Sequence, residues 1–469
     1  MTRKRYPRFA TRLPLLCVLV LAFVPSASAE WKEKVLYSFQ GGTDGATPAG
    51  GVVFDAAGNL YGATTDGGSS SCRGPFQCGT VFQLKPPNKS GDPWTETVLY
   101  VFKGSDSNDG ASPFGGLIWD QAGNLYGTTG YDGTGDCILL GSRVGCGTVY
   151  ELSPPTQKGG AWRETVLYSF KGGSDGQLPV GDLAFDKQGN LYGATQYGGG
   201  YGSCNSSFYQ HCGTIFELSP PKTKGGKWTE KVLYSFRGVK DGEQSGDGAN
   251  PNGGLLFDSK NALYGTTYFG GDNKTGQCAG GVGGTGCGVV FSLTAPSQVG
   301  GKWTEILLHR FDGQDGSNSD AGVVIDGDGD LYGTTYFGPP NGFGLIFELK
   351  KPSLGAADTW EETVLHLFNE SDGGYPIAGL VFDATGNLYG TTYSADAFSG
   401  IVFRLKAPSQ GEGSWTFGAL YGFKGSPDGA QPAANLIFGK NGNLYSTTQK
   451  GGTGACSFYG CGTVFEASP

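Results

Sequence analysis

The sequence predicts an all-β chain folded as a seven-bladed β-propeller of four-stranded antiparallel blades, and three observations carry the prediction. A short core returns seven times, at Leu60-Tyr61-Gly62, Leu125-Tyr126-Gly127, Leu191-Tyr192-Gly193, Leu263-Tyr264-Gly265, Leu331-Tyr332-Gly333, Leu388-Tyr389-Gly390 and Leu444-Tyr445-Ser446, with 56 to 72 residues between successive leucines. Each interval holds four short β-prone runs separated by Gly, Asn and Pro turns. No stretch keeps a helical spacing, and 86 Gly in 469 residues work against helices throughout.

Taken from the N-terminus, residues 1–29 join Arg3, Lys4, Arg5, Arg8 and Arg12 to an apolar run from Leu13 to Val24 and a small-residue Ala27-Ser28-Ala29 ending, the layout of a secretory signal peptide. Glu30 is the expected mature start, and residues 30–469 are the expected single propeller domain. The apolar run is shorter than the about 20 residues a membrane-crossing helix needs, and no later stretch looks transmembrane. The protein is therefore expected to be secreted and found outside the cell, on its surface or in a periplasm.

One repeat unit opens with Gly51-Val52-Val53-Phe54-Asp55, turns tightly at Ala57-Gly58-Asn59 and runs on from Leu60 to Thr65, a hairpin signal. A variable loop leads into Cys78-Gly79-Thr80-Val81-Phe82-Gln83-Leu84, a third strand stopped by Pro86-Pro87. The fourth runs from Trp94 to Phe102, where Trp94, Glu96, Val98, Tyr100 and Phe102 share one face at the strand period of two. The mature chain opens with a fourth-strand sequence, Trp31 to Phe39, and ends with a first, second and third strand in Leu436 to Phe438, Leu444 to Thr448 and Cys461 to Glu466. Pairing of that N-terminal strand onto the last three closes the ring and protects every sheet edge. Trp31, Trp94, Trp162, Trp228, Trp303, Trp360 and Trp415 start the outermost strands and are expected to pack between blades.

Without the leader, 28 basic residues stand against 42 acidic ones, a net charge of −14. Such a surface repels phosphate backbones and anionic lipid, and no Lys/Arg cluster offsets it, so no nucleic-acid partner is expected.

The combination W-x-E-x-V-L-Y-x-F, G-G-x-x-x-D-x-x-G-N-L-Y-G-T-T and C-G-T-V-F-E-L-x-P-P resembles the GloVer tandem repeat family of bacterial exported proteins, over the whole mature chain and all seven units. The resemblance implies a secreted or surface protein, often held by a C-terminal anchor, and no established activity. This chain stops at Pro469 directly after a strand, without a sorting motif, apolar tail or basic end. A weaker similarity to kelch-type propellers rests on paired Gly, a Tyr and a Trp per unit, which are architectural residues.

Ten Cys follow Cys17 and fall in local pairs: Cys72 with Cys78, Cys137 with Cys146, Cys204 with Cys212, Cys278 with Cys287, and Cys456 with Cys461. An even count in an exported chain argues for disulfides, and proximity makes pairing within each loop the simplest connectivity. Zinc fits worse, because a tetrahedral site wants four ligands and His211, His309 and His366 are scattered over different units. No metal and no cofactor is expected.

The loops between second and third strands, and those joining one blade to the next, emerge on one face and are the variable ones. Variable loops on a rigid scaffold are the usual place for binding. Aromatic residues follow the second strand at Tyr131, Tyr197, Tyr268 with Phe269, Tyr336 with Phe337, and Tyr393, and more lie within the loops at Tyr201, Phe208, Tyr209, Phe398, Phe458 and Tyr459. Such rings could stack on sugars or peptide side chains, or pack the loops against one another. The same face is expected to carry the Asp-Gly pairs at Asp44, Asp109, Asp175, Asp241, Asp315, Asp372 and Asp428, foremost turn formers but able to hold calcium if they converge. Asp326-Gly327-Asp328-Gly329-Asp330 looks like the start of an EF-hand loop but lacks its Glu, and it aligns with the ordinary hairpin turn at Asp55.

No nucleophile elbow, zinc-helix or phosphate-loop motif is present. The function expected is that of an exported, non-catalytic, monomeric binding module for a glycan or protein. An extracellular hydrolase or lyase using propeller-face carboxylates, and a surface structural protein without a ligand, are the alternatives. Two carboxylates placed off the seven-fold pattern in one cleft would favour the enzyme.

Overall fold

The computed structural model describes residues 31–469 except 69–71, 73–77, 90, 140, 201–203, 205–210, 224, 240–244, 273–277, 279–285, 299, 340–341, 354–358, 396–398, 409–412 and 457–458. Seven four-stranded antiparallel sheets form the ring of a β-propeller. In the first blade Val53–Phe54, Leu60–Thr64, Thr80–Lys85 and Thr95–Val101 follow one another from the channel outward. The last blade combines Ile437–Phe438, Leu444–Thr448 and Thr463–Ser468 with the N-terminal Lys32–Ser38, paired from Lys32↔Ser468 to Ser38↔Thr463. The ring is thus latched by the expected strand.

The innermost strand is shorter than the sequence suggests. In six blades only two residues pair, as at Val53–Phe54, while the third blade keeps Gln177–Phe185. The residues before the innermost strands, many of them glycine, bring neighbouring blades into backbone contact around the channel. A Cβ on Gly50 would stand 2.5 Å from the Gly115 carbonyl oxygen, and one on Gly253 2.1 Å from the Gly322 nitrogen. The chain there serves the neighbouring blade instead of its own ladder.

The core lies in the seams between blades. The phenylalanine ending each outer strand meets a ring of the next blade's third strand edge to face, as Phe39–Phe82, Phe102–Tyr150, Phe170–Phe216, Phe236–Phe291, Phe311–Phe347, Phe368–Phe403 and Phe423–Phe465, with centroids 5.0 to 5.4 Å apart. The tryptophans pack across the same seams onto the Leu-Tyr-Gly tyrosines, for example Trp162 on Tyr61 at 6.1 Å and Trp415 on Tyr332 at 5.8 Å. Trp94 and Trp360 sit in the clusters of Tyr445 and Tyr264.

All five cysteine pairs are bonded as expected. They also support the next seam. Thr47, Ser112, Leu178, Asn250, Asn318, Tyr375 and Gln431 occupy one position in the seven units and all adopt a left-handed φ of 54 to 60°. Each donates its N–H to the preceding blade, and in five cases the acceptor is the carbonyl of a bridged cysteine, Cys461, Cys78, Cys146, Cys212 or Cys287. A non-glycine residue holds this conformation only where its surroundings impose it. Here the imposed turn carries the chain into the channel wall.

Candidate functional site

Residues entering the first strands and leaving the second strands meet at the channel axis, on the end of the blades that carries the disulfide loops. They line a cup of about 380 Å³ to which all seven units contribute. Half of the lining is Gly and Ala. Aligned by repeat, one position reads Ala49, Phe114, Val180, Asn252, Asp320, Ile377 and Ala433, and the position two residues later reads Gly51, Gly116, Asp182, Gly254, Gly322, Gly379 and Asn435. Polar side chains thus enter the cup at only four of these fourteen places, and the site is asymmetric on a symmetric frame.

Asp182 and Asn435 bridge the channel. Asp182 Oδ1 accepts from the Gly116 N–H at 2.6 Å, and Oδ2 accepts from Asn435 Nδ2 at 3.1 Å. Asn435 Oδ1 in turn accepts from the Gly379 N–H at 2.6 Å. The bridge ties the second and third units to the sixth and seventh. Protein surrounds Asp182 although solvent still reaches it along the axis, and this desolvation raises its carboxyl above the usual range against the opposing Gly116 and Asn435 hydrogen bonds.

Asp320 is differently placed. Asn252 Nδ2 donates to its Oδ1, and Gln196 Nε2 holds the Asn252 carbonyl oxygen at 3.1 Å, so the amide presents its donor side to the carboxylate. Burial pushes the Asp320 carboxyl up to about 6, with the Asn252 bond opposing. Among the described residues Oδ2 has no hydrogen-bond partner.

An aromatic arc adjoins Asp320. Asn318, two residues earlier, is clasped between Tyr268 and Tyr336: its Nδ2 donates to the Tyr268 carbonyl at 2.9 Å and its own carbonyl accepts from the Tyr336 N–H at 3.0 Å. Ring centroids run Tyr268–Phe269 4.8 Å, Tyr268–Tyr336 6.5 Å, Tyr336–Phe337 4.6 Å, Tyr336–Tyr375 5.0 Å and Phe343–Tyr375 5.6 Å. Burial first, then the negative charge of Asp320, raises the Tyr268 phenol, and burial raises that of Tyr336, with Tyr375, Asp320 and Tyr393 adding to it. Both therefore stay protonated donors. Phe337 is 39% exposed at the edge of the arc.

The residues expected to bind divide accordingly. Tyr268, Phe269, Tyr336 and Phe337 form the arc, and Tyr393 stands behind Tyr375 through its N–H to the Tyr375 carbonyl at 3.1 Å. Tyr131 is buried beside Ala111, Val144 and Leu178, with Phe114 and Tyr197 packed against that cluster. These two tyrosines pack loops together, although Tyr131 reaches the cup wall. Tyr201, Phe208, Tyr209, Phe398 and Phe458 lie outside the described residues. Sequence reasoning missed Asp182, Asp320, Asn252, Asn435, Gln196 and Tyr375. For Asp182, Asp320, Asn252 and Asn435 the signal was the departure from Gly, Ala or an apolar residue at fixed repeat positions, whereas Gln196 and Tyr375 stand at positions that vary from unit to unit.

The Asp-Gly ring does not line the cup. Asp44, Asp109, Asp175 and Asp428 accept from Tyr37, Tyr100, Tyr168 and Tyr421 hydroxyls of the preceding outer strand, at 2.6 to 3.0 Å, while Asp315 and Asp372 meet His309 and His366. In the fourth unit the member is Asp247, bonded by the Tyr234 hydroxyl at 2.8 Å, instead of Asp241, which lies outside the described residues. The extra loop residues there move the equivalent position six places along. Asp326 is a hairpin turn: its Oδ1 accepts from the N–H groups of Asp328, Gly329 and Asp330, and its Oδ2 from Tyr332. Among the described residues no three His, Cys, Asp or Glu are grouped to hold a metal ion, and no helix is long and apolar enough to cross a membrane.

Comparison with known proteins matches the chain to a family described as the Gloeobacter/Verrucomicrobia repeat over residues 24–204 and 277–469. No curated protein matches. Among solved structures, an ulvan lyase described as a new family of polysaccharide lyase, bound to -[GlcA(1-4)Rha3S]-, aligns with TM-score 0.53 and 9% identity over 92% of this chain and 95% of its own. The same lyase, in a structure whose description mentions no ligand, aligns with TM-score 0.53 and 10% identity over the same shares. A glucose dehydrogenase aligns with TM-score 0.42 and 14% identity over 93% of this chain and 99% of its own. At these identities the likeness is one of fold.

Proposed function

The chain belongs to the Gloeobacter/Verrucomicrobia repeat family, and from that premise we propose that it is an exported, non-catalytic propeller that binds a glycan through the axial cup and the aromatic arc beside it. The observation that carries this is Asp320: a carboxylate with one uncommitted oxygen at the edge of a sugar-sized cavity, close enough to the phenols of Tyr268 and Tyr336 for its charge to act on both. Sugars are held by that pairing of a hydrogen-bonding carboxylate with aromatic faces. Five disulfides fit an oxidising compartment, and the leader in residues 1–29 supplies the route.

Glycan arrays probed with the mature protein test the proposal. Tyr336→Ala should weaken any hit about tenfold, the scale of one aromatic contact with its buried area. Asp320→Asn should weaken it at least as much, since a hydrogen bond to a charged group is worth about 1.5–3 kcal/mol. Binding that neither variant alters would place the ligand elsewhere.

A catalytic reading draws on Asp182 and Asp320, two carboxylates off the repeat pattern in one cavity, and on a fold shared with a polysaccharide lyase. Glycoside hydrolysis needs two available carboxyl groups, and both oxygens of Asp182 are already engaged. The binding reading is therefore preferred. Release of reducing ends or unsaturated sugars from an array hit, abolished by Asp320→Asn, would reverse that order.

A further inference from the structure

The cup is one-signed. Its lining contains the carboxylates of Asp182 and Asp320 and, among the described residues, no lysine, arginine or histidine. A uronic or sulfated polymer would bring anions to a desolvated acidic wall without a counter-charge, which costs far more than any hydroxyl contact returns. The same wall suits a cation.

We propose that the cup selects glycans carrying a protonated amine, the ammonium resting on Asp320 Oδ2 and the sugar ring lying along Tyr268 and Tyr336. The proposal rests on the glycan-binding reading above and adds the charge class of the ligand. Three observations converge on it. Gln196 and Asn252 are arranged to satisfy Asp320 Oδ1 alone, which leaves Oδ2 without a hydrogen-bond partner among the described residues. Asp182, by contrast, fills the cup's second acidic position with a hydrogen bond already accepted on each oxygen. Tyr268 and Tyr336, on whose phenols the Asp320 charge acts, are neutral aromatic residues of the kind that attract a cation. A formal net charge of −9 on the whole chain adds a long-range pull of the same sign.

A neutral sugar would leave the ionised Asp320 inside the ring with an amide as its only partner. An ammonium neutralises it and supplies three donors, of which one reaches Oδ2. The hydrogen-bonded pair is charge-assisted and partly screened from solvent, so the preference should be large at low salt and fade as salt rises.

The test is calorimetric titration of the mature protein with glucosamine, N-acetylglucosamine and galacturonate oligomers of equal length, at neutral pH and low salt. Glucosamine oligomers should bind about tenfold or more tighter than the N-acetylated ones, and galacturonate should not bind. The gap should close in Asp320→Asn, a near-isosteric change, and on raising salt to about 0.5 M with the unmodified protein. Equal or tighter binding of the N-acetylated oligomer, or binding of galacturonate, overturns the charge selection and leaves the glycan reading standing. A preference for glucosamine that Asp320→Asn does not touch overturns the assignment to this cup. Failure of all three oligomers, with no hit among other amine-bearing glycans, overturns both.

Discussion

Gly50 and Phe216 mark the two kinds of residue that the ring depends on. Gly50 needs no unusual φ, but a Cβ there would meet the Gly115 carbonyl oxygen at 2.5 Å, and both partners are backbone with no freedom to swing away. Gly50→Ala should therefore cost about 1–3 kcal/mol through a displaced channel wall, seen as a lower Tm, whereas Gly58→Ala, with open space around it, should suffer only from its φ of +86°. Phe216 is wholly buried against Phe170 of the preceding blade. Phe216→Ala should cost about 3–5 kcal/mol in chemical denaturation, and a loss below about 1 kcal/mol would mean that the seam repacks. The aromatic residues after the second strand show why residue type alone misleads. Tyr131 and Phe337 occupy the same position in the repeat, six residues after the Leu of the second strand, yet Tyr131 is buried in a loop cluster and Phe337 stands at the open edge of the arc.

The seams between outer strands are the elements where charge matters most. Glu33, Glu96, Glu164, Glu230, Glu305 and Glu362 project from outer strands toward Asp428, Asp44, Asp109, Asp175, Asp247 and Asp315, which lie in the segments entering the same blades, and one oxygen of each Glu is buried without a partner among the described residues. Burial, then the facing Asp, pushes Glu33 and Glu164 up to about 8 and Glu96, Glu230 and Glu305 up to about 7. Glu362 also rises to about 7, by burial, with nearby His309 opposing and Asp315 and Asp312 adding. Lys103, Lys171 and Arg310 soften the effect on Glu164, Glu230 and Glu305. The sixth unit replaces the Glu with Phe417, stacked on His366 at 3.9 Å.

These glutamates take up protons on folding, so their contribution is complete below the ordinary value of 4.5 and is lost as pH climbs to about 8. Tm should fall between pH 4.5 and pH 8. Glu164→Gln, which keeps the shape without the charge, should reduce that fall and raise Tm at the alkaline end. A Tm that is flat or rising across this window would contradict the proton uptake.

The closed ring is the property of the whole molecule. Lys32–Ser38 supplies the outer strand of the last blade, and Phe39 at its end fills the seam against Phe82 of the first. Removing residues 31–39 would open the Thr463–Ser468 edge and expose that seam. The truncated protein should lose cooperative melting and associate on size exclusion, as bare sheet edges do. Retention of a single sharp transition and a monomer-sized peak would show that closure by this strand is dispensable. Each disulfide closes a short loop and should contribute roughly 2 kcal/mol on the chain-entropy account. Reduction should also loosen blade docking, since the bridged cysteines present the carbonyls on which the next blade's left-handed residue hangs.

The amino-acid sequence by itself determined the number of units, the four strands in each, the latch between termini, the cysteine pairing and the tryptophan seams. All of these follow from local period, turn chemistry, short Cys spacing and repetition, which are read along the chain without knowledge of its path in space. The cup was decided only in three dimensions. Asp182 and Asn435 are 253 residues apart and meet because the ring brings the same short stretch of every blade to one axis. Contacts across that axis depend on closure and on which units depart from Gly or Ala, and no spacing along the chain encodes them. Asp247 has the same origin: the carboxylate that accepts from Tyr234 stands thirteen residues on, where the fold brings the chain back to the seam, and not at the seven-residue spacing of Tyr37 and Asp44.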